Sequence, residues 1–73
     1  MLQNKKIEKL IKEEYEAEYC KVFAVYEPDG VGSYGDCYCA AVDIGTRGMT
    51  YKVFVKVVNG VFKIVNKEKW FMG

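Results

Sequence analysis

Residues 51–65 read Tyr-Lys-Val-Phe-Val-Lys-Val-Val-Asn-Gly-Val-Phe-Lys-Ile-Val, two runs of β-formers on either side of Asn59-Gly60. Both central residues of a two-residue type I′ turn need a positive φ, and Asn-Gly tolerates this best. A turn placed there makes Val58 face Val61, Val57 face Phe62, Lys56 face Lys63 and Val55 face Ile64. Side chains alternate along a strand, so this register sorts the hairpin into two faces. Tyr51, Val53, Val55, Val57, Phe62 and Ile64 form one apolar face and predict the core. The other face mixes Lys52, Lys56 and Lys63 with Phe54, Val58, Val61 and Val65.

Working outward, Gly45-Thr46-Arg47-Gly48 predicts a four-residue turn between strands over 37–44 and 50–58. Pairing across it sets Val42 opposite Tyr51 and Ala40 opposite Val53, which adds Tyr38, Ala40, Val42 and Ile44 to the same apolar face. Two turns counted separately agree on one core. Lys-Val-Phe-Ala-Val-Tyr at 21–26 predicts the first strand, stopped by Pro28-Asp29-Gly30. Phe23 and Val25, the bulkier pair, are expected inward, with Val22 and Ala24 outward beside Cys39 and Ala41. The fourth strand is expected over 61–65 and a tail over 66–73.

Ile7, Leu10, Ile11 and Tyr15 recur at helical spacing with no Gly or Pro between them, which predicts a helix over 3–19. Lysines crowd its first turns and glutamates its last, the reverse of what the helix dipole favours. Glu14 and Glu18 fall within the apolar stripe, which puts them at the edge of the core or on an overhanging helix end. The expected fold is α+β: an N-terminal helix packed on one face of a four-stranded antiparallel meander (αββββ) in a single domain, 1–73. Short connections favour pairing in sequence order. This element order resembles a cystatin-like topology. The Gln-x-Val-x-Gly loop of the protease-inhibiting cystatins has no counterpart here, so the likeness implies no protease inhibition.

Seventy-three residues, half of them hydrophobic, suffice for one small core, although a chain this short buries only about 60% of its unfolded surface. A formal charge of +1 gives no strong general pull toward nucleic acid or anionic membrane. No run of ~20 apolar residues is present to span a bilayer. The N-terminus is charged rather than signal-like. Three cysteines cannot close a disulfide framework. A cytoplasmic protein with reduced thiols is expected.

Gly30-Val31-Gly32-Ser33-Tyr34-Gly35 has the spacing G-x-G-x-x-G. A dinucleotide site needs a helix next, whereas Asp36-Cys37-Tyr38-Cys39-Ala40-Ala41-Val42 reads as strand. Strand–loop–strand is the setting of the protein-kinase glycine-rich loop, and Val53-Phe54-Val55-Lys56 resembles the strand that carries the kinase lysine. That likeness, over Gly30 to Lys56, implies a lysine at ATP phosphates. The chain departs from it at Cys37 and has no His-Arg-Asp or Asp-Phe-Gly segment, so no base and no magnesium ligand carry over. A flexible hairpin loop is the plainer expectation.

Cys37 and Cys39 share the side of the second strand away from the core, and Cys20 shares it if the first strand extends back that far. Three cysteines without histidine fall short of a structural zinc set, so no metal or cofactor is expected. The absence of histidine also removes the commonest general acid–base group. An enzyme reading is left only with a carboxylate site at Glu14 and Glu18. Glu13, Glu14, Glu16 and Glu18 make an acidic helix end that suits a basic partner.

The half-apolar outer face and the missing catalytic apparatus together predict a non-catalytic protein-interaction module. Such a module suits an accessory regulator or inhibitor carried by a phage or mobile element. Candidate contact residues are Phe54, Val58, Val61, Val65, Lys56, Lys63, Tyr34, Trp70 and Phe71. A homodimer through the outer face is expected, with Val22, Ala24, Cys39 and Ala41 widening the patch. The competing expectation is a nucleic-acid binder using Lys52, Phe54, Lys56 and Lys63.

Overall fold

Ile7 and Ile11 lie one helical turn apart and are both fully buried, which fixes the face that the helix presents to the sheet. The computed structural model describes residues 4–70. Its elements are α1 (Asn4–Tyr15), β1 (Cys20–Tyr26), β2 (Tyr38–Ile44), β3 (Thr50–Val58) and β4 (Val61–Lys69). The strands form one antiparallel sheet in the order β1-β2-β3-β4, the expected α+β meander. Asn59 and Gly60 take φ of 52° and 78°, as a type I′ turn requires. Val57 pairs with Phe62 and Val42 with Tyr51, the registers that the two turns predict. Ile7 and Ile11 pack on Val22, Ala40, Val42, Ile44, Val53 and Val55.

The helix is shorter than its expected span of 3–19. Glu16 enters the left-handed region at φ 50°, and Ala17 N–H donates to the Lys12 carbonyl at 3.0 Å. This is the six-to-one bond of a Schellman ending, built here without glycine. Ala17 packs on the cluster that holds Ile11, the apolar contact that often accompanies this ending. Glu14 therefore sits in the last helical turn and Glu18 in the link to β1. Both are exposed, and neither lies at the core edge.

Two bulges overturn the parity expected for the outer strands. Between Val22 and Ala24 the β1 register shifts by one residue, so Val22 pairs with Val42 and faces inward at 6% exposure. Phe23 is the extra residue and stays 53% exposed, with the Lys21 ammonium 5.5 Å from its ring centre. Val25 still reaches the core, as expected. The same shift turns Cys20 inward, opposite Ile44 in the core, and away from Cys37 and Cys39. The Val22 N–H donates to a Glu8 carboxylate oxygen at 2.9 Å, so the helix also ties the strand through its backbone.

The second bulge places Val65 between Ile64, paired with Val55, and Asn66, paired with Phe54. Residues 66–69, read from sequence as tail, continue β4 as far as Tyr51↔Lys69. Lys67 has partners that its polar character hides: its ammonium lies 4.3 Å from the Tyr15 ring centre and 4.7 Å from that of Tyr51. Val57 is 39% exposed instead of buried, because the hairpin outruns the helix. Phe71 lies outside the described residues.

The β2–β3 turn is braced by Asp43, which is buried and accepts from Gly48 N–H at 2.9 Å and the Thr50 hydroxyl at 2.6 Å. These bonds, the backbone one first, hold its carboxyl below the usual carboxylate range. Hydrogen bonds to a charged acceptor contribute about 1.5–3 kcal/mol each net of water, and the neutral amide oxygen keeps part of this, so Asp43→Asn is expected to cost about 1–2 kcal/mol at neutral pH. A lowered folded-state pKa gives stability that is complete above the unfolded value of about 3.9 and lost as pH falls through the folded one. Urea titrations across that range should show the gap between wild type and Asp43→Asn narrowing as the pH drops. A gap independent of pH speaks against the brace. At the helix end, Glu16→Gly should raise stability by about 1 kcal/mol, since glycine has no penalty in the left-handed region; an unchanged urea midpoint counts against this.

Candidate functional site

The glycine-rich segment between β1 and β2 folds down over the outer face of the sheet. Asp29 accepts from Val31 N–H at 2.9 Å, Gly30 N–H donates to the Gly35 carbonyl at 2.9 Å, and Cys37 N–H donates to the Tyr34 carbonyl at 3.0 Å. A Cβ at Gly35 would stand 2.6 Å from the Gly30 carbonyl carbon and from the Val31 nitrogen, so only glycine allows the two arms to approach. Amide groups that a phosphate cradle would need at 30, 31 and 35 already donate within the loop. The kinase-like spacing therefore folds as a closed turn, with its third glycine serving backbone approach.

Three contacts fasten this loop to the strands. The Tyr34 ring stacks on Phe54 with centroids 4.2 Å apart and planes 13° from parallel. The Tyr34 hydroxyl accepts from Asn66 Nδ2 at 2.7 Å, a bond made possible by the Val65 bulge that points Asn66 to this face. Asp36 pairs with Lys56 at 2.9 Å. The Lys56 ammonium, foremost through its hydrogen bond, lowers the Asp36 pKa, and Asp36 raises that of Lys56. The pair also relieves the Lys56–Lys63 juxtaposition, since like charges directly across a strand pair repel.

Beside the latched loop lies an open cleft of about 650 Å3. The end of β1 gives Tyr26, the loop gives Glu27 and Asp29, and β2 gives Cys39. Lys52 and Phe54 come from β3, and Trp70 closes the far side. Trp70 is held there by its N–H, which donates to the Thr50 carbonyl at 3.0 Å. The Lys52 ammonium lies 5.1 Å from the Trp70 ring centre, within cation–π reach.

The structure thus separates the sequence candidates into two groups. Tyr34, Phe54, Lys56 and Trp70 come together around the loop, where Phe54 is half-buried under Tyr34 rather than open to a partner. Val58, Val61, Val65 and Lys63 stay exposed toward the hairpin end. Val22, expected outward, is in the core, and Ala41 on the outer face is 9% exposed. Tyr26, Glu27 and Asp29 carry no sequence signal of a site. Pro28-Asp29-Gly30 read only as a strand stop, and no pattern in it shows that the loop returns over the sheet. Glu14 and Glu18 do not line this cleft. Among the described residues no three of His, Cys, Asp and Glu are grouped to hold a metal ion, and no helix is long and apolar enough to cross a membrane. Comparison of the chain with protein-family models, with curated proteins and with solved structures finds no match.

The thiols are all discouraged from ionising. Burial, reinforced by the Glu8 charge, pushes Cys20 up to about 11, and burial also raises Cys37 and Cys39. The thiolate is the nucleophile, so each is slow toward alkylation. Iodoacetamide on the native protein should label Cys39, the one half-buried thiol, ahead of Cys20 and Cys37, which should need denaturant. Rapid native labelling of Cys20, read by mass spectrometry, contradicts this burial pattern.

Proposed function

We propose that this chain is a small non-catalytic protein-interaction module, an accessory regulator or inhibitor that docks through the outer side of its sheet. The observation that carries this reading is the apolar end of the β3–β4 hairpin. Val58, Val61 and Val65 are 39%, 61% and 47% exposed, and Val57 adds 39% on the opposite face. Scattered apolar residues mean little on a surface, whereas a contiguous group is the usual mark of a contact. Thiols held protonated and the lack of any histidine support binding over catalysis. The same end is expected to pair two copies as a homodimer. Free cysteines suit a cytoplasmic setting.

The nucleic-acid alternative has less support. Base stacking needs an open aromatic face, and Phe54 is covered by Tyr34 while Lys56 is engaged by Asp36. Association that weakened steeply with salt would favour it.

The module reading is tested with Val61→Glu and Val65→Glu, both at exposed positions where unfolding midpoints should be unchanged. Sedimentation at micromolar concentration should show self-association of the wild type that each variant reduces, and affinity capture from host extract should lose its specific partner. Equal sedimentation and equal capture by wild type and variants would remove the hairpin end as the docking surface.

A further inference from the structure

We infer that the cleft between the latched loop and Trp70 receives an arginine side chain of a protein partner. This rests on the interaction-module reading and names the chemistry of a second contact on the same side of the sheet. The cleft holds two carboxylates, Glu27 and Asp29, against one cation, Lys52. Among the described residues neither carboxylate has an ion-pair partner; the ion pair found there is Lys56–Asp36. Asp29 commits Oδ1 to the Val31 N–H, which orients the group and leaves its second oxygen for an incoming donor. Glu27 is exposed, so its carboxylate is accessible.

The walls favour the same ligand. Tyr26 is 53% exposed, and Trp70 lines the opposite side. The chain's own Lys52 ammonium already occupies the Trp70 ring, so the exposed Tyr26 ring is the aromatic wall offered to an incoming cation. A guanidinium is planar, stacks on aromatic faces and forks toward carboxylates, whereas an ammonium is a strongly hydrated point charge. Arginine meets both features of the cleft, lysine only one. Anionic ligands, nucleotides included, meet the two carboxylates as like charges. Preorganisation adds to the fit, because the stack, the Tyr34–Asn66 bond and the Asp36–Lys56 pair hold the loop wall in place before any ligand arrives.

Trp70 is the sole tryptophan, so its fluorescence reports on the cleft directly. The test titrates the intact chain with three capped tripeptides, Gly-Arg-Gly, Gly-Lys-Gly and the citrulline analogue, following Trp70 emission and backbone amide shifts. The arginine peptide should saturate, with shifts centred on residues 26–34, 52 and 70. The lysine peptide should bind several-fold more weakly and the citrulline peptide not at all. Glu27→Gln, an exposed change with an unaltered unfolding midpoint, should weaken the arginine peptide about threefold, the scale of one exposed ion pair. Equal responses to arginine and citrulline, no saturation at tens of millimolar, or shifts confined to Val58–Val65 would overturn the inference. Tighter binding of a short oligonucleotide at Trp70 would overturn it as well. If the peptides fail while Val61→Glu still abolishes partner capture, the arginine site falls and the module reading stands.

Discussion

Twelve helical residues reach about 18 Å, while a nine-residue strand reaches about 30 Å, so α1 cannot cover the hairpin formed by β3 and β4. Ile7 and Ile11 seal Val42, Val53 and Val55 completely. Two residue pairs beyond Val55, Val57 is already open although its partner Phe62 is still packed against the core, with Lys6 over its ring. The other face has no helix at all, and there the loop after β1 does the covering. It reaches Phe54 and Asn66 and stops short of Val58 and Val61. Surface that neither cover reaches is where the apolar side chains stay exposed, and the proposed docking end is a consequence of that shortfall in length.

Open sheets also have edges, and each edge here is blunted. β1 is bent by the Phe23 bulge, and Glu8 takes up the Val22 N–H. β4 is bent at Val65 and carries Lys63, Lys67 and Lys69. Bulges and lysines are the devices by which natural sheets avoid edge-to-edge pairing. A contact between copies of this chain is therefore better served by the valine-bearing faces of the hairpin than by strand addition. The Lys56–Lys63 pair is less of an obstacle to such a contact than its charges imply, since Asp36 neutralises one of them.

Turn chemistry made much of the fold legible. Asn59-Gly60 and the Gly45–Gly48 turn each demand a backbone that few other residues adopt, and they fix two registers and a common core face. Bulges have no such signature. One extra residue, Phe23 or Val65, reverses every parity beyond it, and side-chain bulk alone favours Phe23 over Val22 for the core. The end of β4 is hidden for a related reason: Asn66, Lys67 and Lys69 are poor strand formers held by register with β3, and Asn66 and Lys67 add aromatic partners distant in sequence. The helix stop was equally silent, because a glutamate occupies the left-handed position that glycine normally marks.

The candidate site was legible only in part, because its residues come from five segments brought together by the loop's landing point. Tyr34, Phe54 and Trp70 stood out as aromatic residues without a core role, yet their sequence gives no sign that the first two stack on each other. Gly35 is the position on which that landing turns. Its missing Cβ lets residues 30 and 35 meet, which closes the loop base and aims Tyr34 at Phe54. A loop so closed commits the amides of residues 30, 31 and 35 internally, which leaves fewer donors for the phosphate chemistry that its glycine spacing resembles. The side chains facing the cleft are aromatic rings, two carboxylates and Lys52, a set with one net negative charge that the proposed arginine matches better than a phosphate does.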